Sequence, residues 1–187
     1  MYVLVACEFS GIVRDAFTKK GHSAVSCDLL PSERPGLHYR GSVSDIIQDG
    51  WDLMIAHPPC THLSVSGARW FKEKAEEQKH AVDFFMTLVN ANIPKICVEN
   101  PVSIMSTIFR KPDQIIQPWM FGHDASKKTC LWLKGLPCLE PTDIIKKERY
   151  ANQTPSGQNK LGPSPTRARE RSRTYEGIAN AMAEQWG

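Results

Sequence analysis

The chain begins with YVLVACE (residues 2–8), a short apolar run rich in Val that predicts a buried strand. SGIVRDAFTKKG (10–21) follows, with the apolar spacing of a helix and Gly21 as its stop. HSAVSCD (22–28) predicts a second strand, VSDIIQDG (43–50) a short helix capped by Ser44, and WDLMIAHPP (51–59) a strand ended by Pro58 and Pro59. From about 68 to 90 an amphipathic stretch places Trp70, Phe71, Ala75, Ala81, Phe84, Phe85 and Leu88 largely on one side. KICVENP (95–101) returns as a strand. The pattern is then less regular until KKTCLWLKG (127–135), a strand, and TYEGIANAMAEQWG (174–187), a closing helix. Strands that alternate with helices predict an α/β fold with an open, mostly parallel sheet and flanking helices. Ligands of such sheets sit beyond the carboxyl ends of the strands, so the tips to read are residues 8–11, 28, 58–60 and 99–101.

At 187 residues, the length suits a single domain spanning 1–187. Hydrophobic residues at 41% and charged residues at 23% are ordinary for a globular chain and exclude a disordered or fibrous one. No apolar run reaches the roughly 18 residues of a membrane span, and the N-terminus lacks the marks of a signal peptide, so a cytoplasmic protein is expected. The six cysteines fall partly inside apolar runs, which predicts reduced thiols. Cys7, Cys27, Cys97 and Cys130 read as packing thiols within strands. Cys60 and His62, flanked by His57, form the only close pair of candidate metal ligands, and no metal site is expected. Charge is unevenly spread. Residues 146–173 carry eight basic side chains and two acidic ones in a stretch rich in Pro, Gly, Ser and Asn, which reads as a mobile basic loop.

Chemistry gathers at the strand tips. Glu8-Phe9-Ser10-Gly11 is a strand-to-helix turn in which Gly11 admits either a ligand's approach or merely a tight turn. Asp28 ends the second strand, where a carboxylate suits a ribose hydroxyl, and Asp45 suits an adenine amino group; either could instead cap a helix. In His57-Pro58-Pro59-Cys60 two prolines stiffen a loop that presents a thiol, a presentation that packing alone does not need. Glu99-Asn100-Pro101 places a carboxylate beside that thiol if the two strands are neighbours. Carbon 5 of cytosine is a poor nucleophile until a thiolate adds at carbon 6, and a neighbouring Glu assists by donating a proton to N3.

Phe9-Ser10-Gly11, Asp28, Asp45, Pro58-Pro59-Cys60, Glu99-Asn100-Pro101 and Gly177-Ile178-Ala179-Asn180-Ala181 together resemble, in order, the motifs of DNA cytosine-5 methyltransferases. The chain looks especially like the short bacteriophage and prophage versions without a full target-recognition domain, which would place it in the cytoplasm of a bacterial host. The resemblance implies a Rossmann-like methyltransferase fold, the donor S-adenosylmethionine with S-adenosylhomocysteine as product, and DNA with a flipped-out cytosine as substrate. It implies Cys60 as nucleophile and Glu99 as its partner on the base. Phe9 would stack on the adenine, with Ser10, Gly11 and Pro58 lining the donor pocket, Asp28 on the ribose, Asp45 on the adenine amine and Asn180 closing the pocket.

Two departures stand out. Lys127-Lys128-Thr129 occupies the place of the family's QxRxR segment, and a basic loop at about 144–174 replaces the recognition domain. Lys127, Lys128, Arg167, Arg169, Arg171 and Arg173 are therefore the expected DNA contacts, with a short target and a partner subunit or homodimer as possible sources of further recognition. A [DNS]PP[YFW] amino-methyltransferase is disfavoured because Cys60 stands where that chemistry needs an aromatic ring. A catalytically inactive, methyltransferase-like DNA-binding or inhibitory protein is the alternative. His22, His38, His80 and His123 have no partners at motif spacing, and Trp119, Phe121, Trp132 and Trp186 read as core.

Overall fold

The computed structural model describes residues 1–65, 74–162, 164 and 166–187. Among them the strands β1 (Tyr2–Ala6), β2 (Ser23–Asp28), β3 (His38–Arg40), β4 (Leu53–Ala56), β5 (Lys95–Pro101), β6 (Gln114–Ile116) and β7 (Thr129–Lys134) form a seven-stranded sheet. Its helices are α1 (Ile12–Lys19), α2 (Ala75–Val89), α3 (Met105–Ile108), α4 (Arg167–Ser172) and α5 (Glu176–Trp186). The strand order is β3-β2-β1-β4-β5-β7-β6. β1 pairs in parallel with β2 and β4, β2 with β3, and β4 with β5, whereas β7 runs antiparallel to both β5 and β6. The protein is thus α/β with a mostly parallel sheet. The order reverses between β1 and β4, the place where ligands of open α/β sheets usually sit.

Both faces of the sheet are covered, as its apolar strands require. Along β1, Val3 and Val5 face α1 and α5 with Phe17, Ile178, Met182 and Trp186, while Leu4 and Ala6 face α2 with Phe85 and Leu88. One five-residue run therefore feeds two cores. Trp132 meets the Phe85 ring edge-on at 5.1 Å on the α2 side. Trp132, Trp186 and Phe121 are buried as expected, whereas Trp119 is only half-buried and stacks on Tyr150 at 6.2 Å.

Several expectations need correction. The short helix after β3 is a 3-10 turn, Val43–Asp45, capped by Ser42, whose hydroxyl accepts the Ser44 N–H. That puts the cap two residues before Ser44. The amphipathic segment is helical over Ala75–Val89, and its expected start, with Trp70 and Phe71, lies outside the described residues. Cys7 is not within a strand: it follows β1 with φ 58°, and the pairing resumes when Glu8 N–H donates to Cys27 O at 3.0 Å. Burial, with Asp28 and Cys27 adding to it, pushes the Cys7 thiol up to about 12. The basic loop contains α4. No described helix is long and apolar enough to cross a membrane.

Candidate active site at the strand tips

β4 leaves the sheet at Ala56, and His57 N–H donates to Ala6 O at 2.9 Å, anchoring the next loop to β1. Pro58 is buried, and its carbonyl accepts from the Asn100 side-chain amide at 2.8 Å. Two consecutive prolines fix φ and supply no N–H, so the loop cannot continue the ladder and turns outward. Cys60 is exposed, and its carbonyl receives the N–H groups of Leu63 (3.1 Å) and Ser64 (2.9 Å), which closes a turn directly behind the thiol. Partial desolvation and then the charge of Glu99 push this thiol up, against the opposing pull of Lys127 and Arg171. Cys60 therefore rests as the protonated thiol at neutral pH.

β4 and β5 are parallel neighbours with Ala56 opposite Val98, so one step further His57 falls opposite Glu99. Glu99 Oε2 accepts a hydrogen bond from His57 Nδ1 at 3.0 Å. Burial raises the carboxyl, but Lys127, His57 and the Thr129 hydroxyl outweigh it and hold Glu99 below the usual range. An ionised carboxylate only accepts, so Nδ1 carries the proton of this bond. The other ring nitrogen, Nε2, is buried without a partner among the described residues, as are Asn100 Oδ1 and Ser103 Oγ. Lys127 N–H donates to Gln117 Oε1 at 2.9 Å and its Nζ donates to Arg171 O at 2.9 Å, which binds α4 to the tip of β7. Glu99, Lys127, Thr129, Thr174, Tyr175, Ile178 and Met182 line a small recess. A cleft of about 550 Å³ shares Lys127, Thr174 and Tyr175 with it and carries Lys160, Arg171 and Arg173 on its walls.

On the donor side, Gly11 takes φ 72°, and a Cβ there would meet Arg14 Nη2 at 2.5 Å. The turn and its packing thus account for the glycine. Glu8 accepts from the Ser10 hydroxyl at 3.1 Å and from the N–H groups of Val13 at 2.7 Å and Arg14 at 3.2 Å, so the start of α1 is filled by the chain's own carboxylate. Phe9 is buried, with the Arg169 guanidinium 5.3 Å from its ring centre. Glu33, whose N–H donates to Phe9 O at 2.8 Å, pairs with Arg169 at 2.8 Å and Arg173 at 2.7 Å. Asp28 Oδ1 accepts the Leu30 N–H at 2.9 Å, and Asp45 Oδ2 accepts the Tyr39 hydroxyl at 3.1 Å.

The fold gathers Cys60, Glu99 and Lys127 and adds His57 and Arg171 to them. Asn180 sits on the exposed side of α5 and lines neither recess nor cleft, Lys128 is exposed, and Arg167 is half-buried at the start of α4. Away from the site, His123 Nε2 accepts the Gly177 N–H at 2.9 Å and His38 Nδ1 lies 2.9 Å from Ser26 Oγ. Compared with protein-family models and with curated proteins, the chain matches none.

Proposed function

We propose that the protein transfers a methyl group from S-adenosylmethionine to carbon 5 of cytosine in DNA through a covalent Cys60 adduct. The observation that carries this reading is the exposed Cys60 thiol within the field of an ionised Glu99 at the tips of two paired strands. A thiol needed only for packing would not be presented beyond a double proline. In the resting pair the proton is on sulfur and the charge on the carboxylate. As sulfur bonds to carbon 6, the C5–C6 π pair shifts to C4–C5 and the C4–N3 pair moves to N3. Glu99 takes the thiol proton and passes it to N3, so that the adduct is a neutral enamine with carbon 5 as its nucleophile. Lys127 balances the carboxylate while it is charged. After methylation the adduct is cationic at N3–H: water takes the C5 proton, the C5–H pair reforms C5=C6 and expels the Cys60 thiolate, and the N3 proton returns through Glu99 to sulfur, which restores the resting thiol and carboxylate.

Two carboxylates support the donor reading. Asp28 has one carboxylate oxygen engaged among the described residues, leaving the other to accept from ribose hydroxyls, and Asp45 likewise has Oδ1 for an amino group. S-adenosylmethionine supplies an electrophilic methyl group when bound, and Asp28, Asp45 and Pro58 are the residues that would hold it. Arg169, facing the Phe9 ring where the adenine was expected, favours a second reading, a catalytically silent DNA-binding protein. The two separate on incubation with DNA containing 5-fluorocytosine and S-adenosylmethionine. A denaturation-resistant adduct that is lost in Cys60→Ser supports the enzyme, and no adduct with the wild type selects the silent protein.

A further inference from the structure

The resemblance gives His57 no role, yet its surroundings are unusual for a histidine used in packing. Its side chain is 7% exposed and that of Glu99 13%, so the bond between them is sheltered from water. A packing histidine normally pairs both ring nitrogens, whereas here Nε2 is buried with no partner among the described residues. An apolar side chain would fill the same space without that cost. The imidazole is also rigidly placed, because the His57 backbone is bonded to β1 and Pro58 O to Asn100 on β5. The opposite cation is different: Lys127 is bonded through Nζ to a carbonyl of α4, a short exposed helix.

We infer that His57 is a positioning residue for Glu99, which holds Oε2 through Nδ1–H and leaves Oε1 as the oxygen that exchanges a proton between Cys60 and N3 of the base. The inference rests on the cytosine reading above and adds to it the residue that aims the carboxylate. Holding one oxygen removes the carboxylate's freedom to rotate, and an N–H donor stabilises the anion over the acid. The groups around Glu99 are His57 and Cys60 on the β4 loop, Cys97 on its own strand, Thr129 and Cys130 on β7, and Lys127 before β7, with Arg171 of α4 acting on Cys60. Among the described residues, Lys127, His57 and Thr129 favour the Glu99 anion. Removing His57 should therefore raise the Glu99 carboxyl while leaving the thiol loop in place.

The test uses the full chain with ¹³C-labelled glutamate carboxyls, in wild-type, His57→Ala and His57→Asn forms. Asn keeps a side-chain N–H near the position of Nδ1. The Glu99 titration midpoint should move to higher pH in His57→Ala and return towards wild type in His57→Asn. The acid limb of kcat/KM on cytosine-containing DNA should follow it. Adduct formation with 5-fluorocytosine DNA near the acid limb should fall roughly tenfold in His57→Ala, as a one-unit midpoint shift would give, with S-adenosylmethionine affinity unchanged. If the alanine form does not fold, His57→Gln, whose amide reaches the Nε2 position instead, should behave as alanine was expected to. An unmoved midpoint in His57→Ala or His57→Gln, or failure of His57→Asn to restore it, overturns the assignment. A wild type that forms no adduct overturns the cytosine reading instead, and the midpoints still decide whether His57 governs Glu99.

Discussion

Replacing Arg14 with Met removes the guanidinium that ties α1 to the segment after β2. The Arg14 side chain is 1% exposed. It donates to Asp15 Oδ1 (2.9 and 2.7 Å), to the hydroxyls of Ser26 (3.2 Å) and Ser32 (3.1 Å), and to the carbonyls of Arg34 (3.3 Å) and Pro35 (2.9 Å). Met fills much of the volume and donates nothing. Asp15 would keep only Arg34 Nη1 at 3.8 Å, and Pro35 O would lose its donor, whereas Arg34 O would keep the Ser32 hydroxyl at 2.7 Å. Breaking a buried ion pair from one side costs about 3–5 kcal/mol. Asp15 is 25% exposed, so water offsets part of the loss, and the lower end, about 3 kcal/mol, is expected. For a chain of this size that corresponds to a fall in Tm of about 6–12 °C. Urea unfolding with linear extrapolation, beside calorimetry, measures it, and Arg14→Lys should fall in between. A loss below about 1 kcal/mol would refute the reasoning, because it would mean that the five partners are satisfied without the guanidinium.

Glu99→Gln should change Cys60 in opposite directions for two reagents: alkylation by iodoacetamide at pH 7–8 should speed up several-fold once the charge that raises the thiol is gone, while methyl transfer should fall by about 10²-fold or more as the proton carrier is removed. Parallel loss of both activities would point to structural damage instead. Because Glu99 is held below the usual range, its ionisation adds stability that is fully present above the carboxyl's unfolded value and disappears as pH falls through the lower folded value; wild type should therefore lose more stability than Glu99→Gln in an acid series of urea melts. Asp28→Ala should weaken S-adenosylmethionine by about one to two decades in titration calorimetry, from a charge-assisted bond worth roughly 1.5–3 kcal/mol; equal affinity would remove Asp28 from the donor site. Replacing Arg167, Arg169, Arg171 and Arg173 with Ala should weaken DNA binding for all sequences and flatten its salt dependence, by a slope of roughly 0.9 for every phosphate that the protein no longer neutralises. An unaltered slope would place the phosphate-binding side chains elsewhere.

The strands that were legible in the sequence are those whose burial needs a continuous apolar run, namely β1, β2, β4, β5 and β7. β3 and β6 are three residues each and largely polar or half-exposed, and they exist because a neighbour offers a free edge. No local pattern marks such a strand. The direction of β7 was equally hidden, since CLWL is as apolar in an antiparallel strand as in a parallel one. The helix α4 escaped notice for the opposite reason: RARERS has no buried residue, and among the described residues Lys127, Glu33 and Phe9 are the ones that fix its place.

The site divides along the same line. Cys60 and Glu99 could be read because one follows a buried strand and the other lies near the end of its neighbour, and the expectation that those strands are neighbours was enough to bring the thiol and carboxylate together. That same expectation contained His57 as well. In a parallel pair with Ala56 opposite Val98, the residue facing Glu99 is the last one before the prolines, so the carboxylate's nearest partner is the imidazole and the thiol stands beyond it. The contact spans 42 positions in sequence yet follows from one register. The pairing of Glu33 with Arg169 and Arg173, 136 and 140 positions away, follows from none, since the described residues between β7 and α4 form no strand or helix to carry a register across. Parallel pairing therefore carries the chemistry of the thiol and its carboxylate forward from sequence, whereas the cover that α4 lays over Phe9 depends on irregular backbone and becomes visible only in the folded chain.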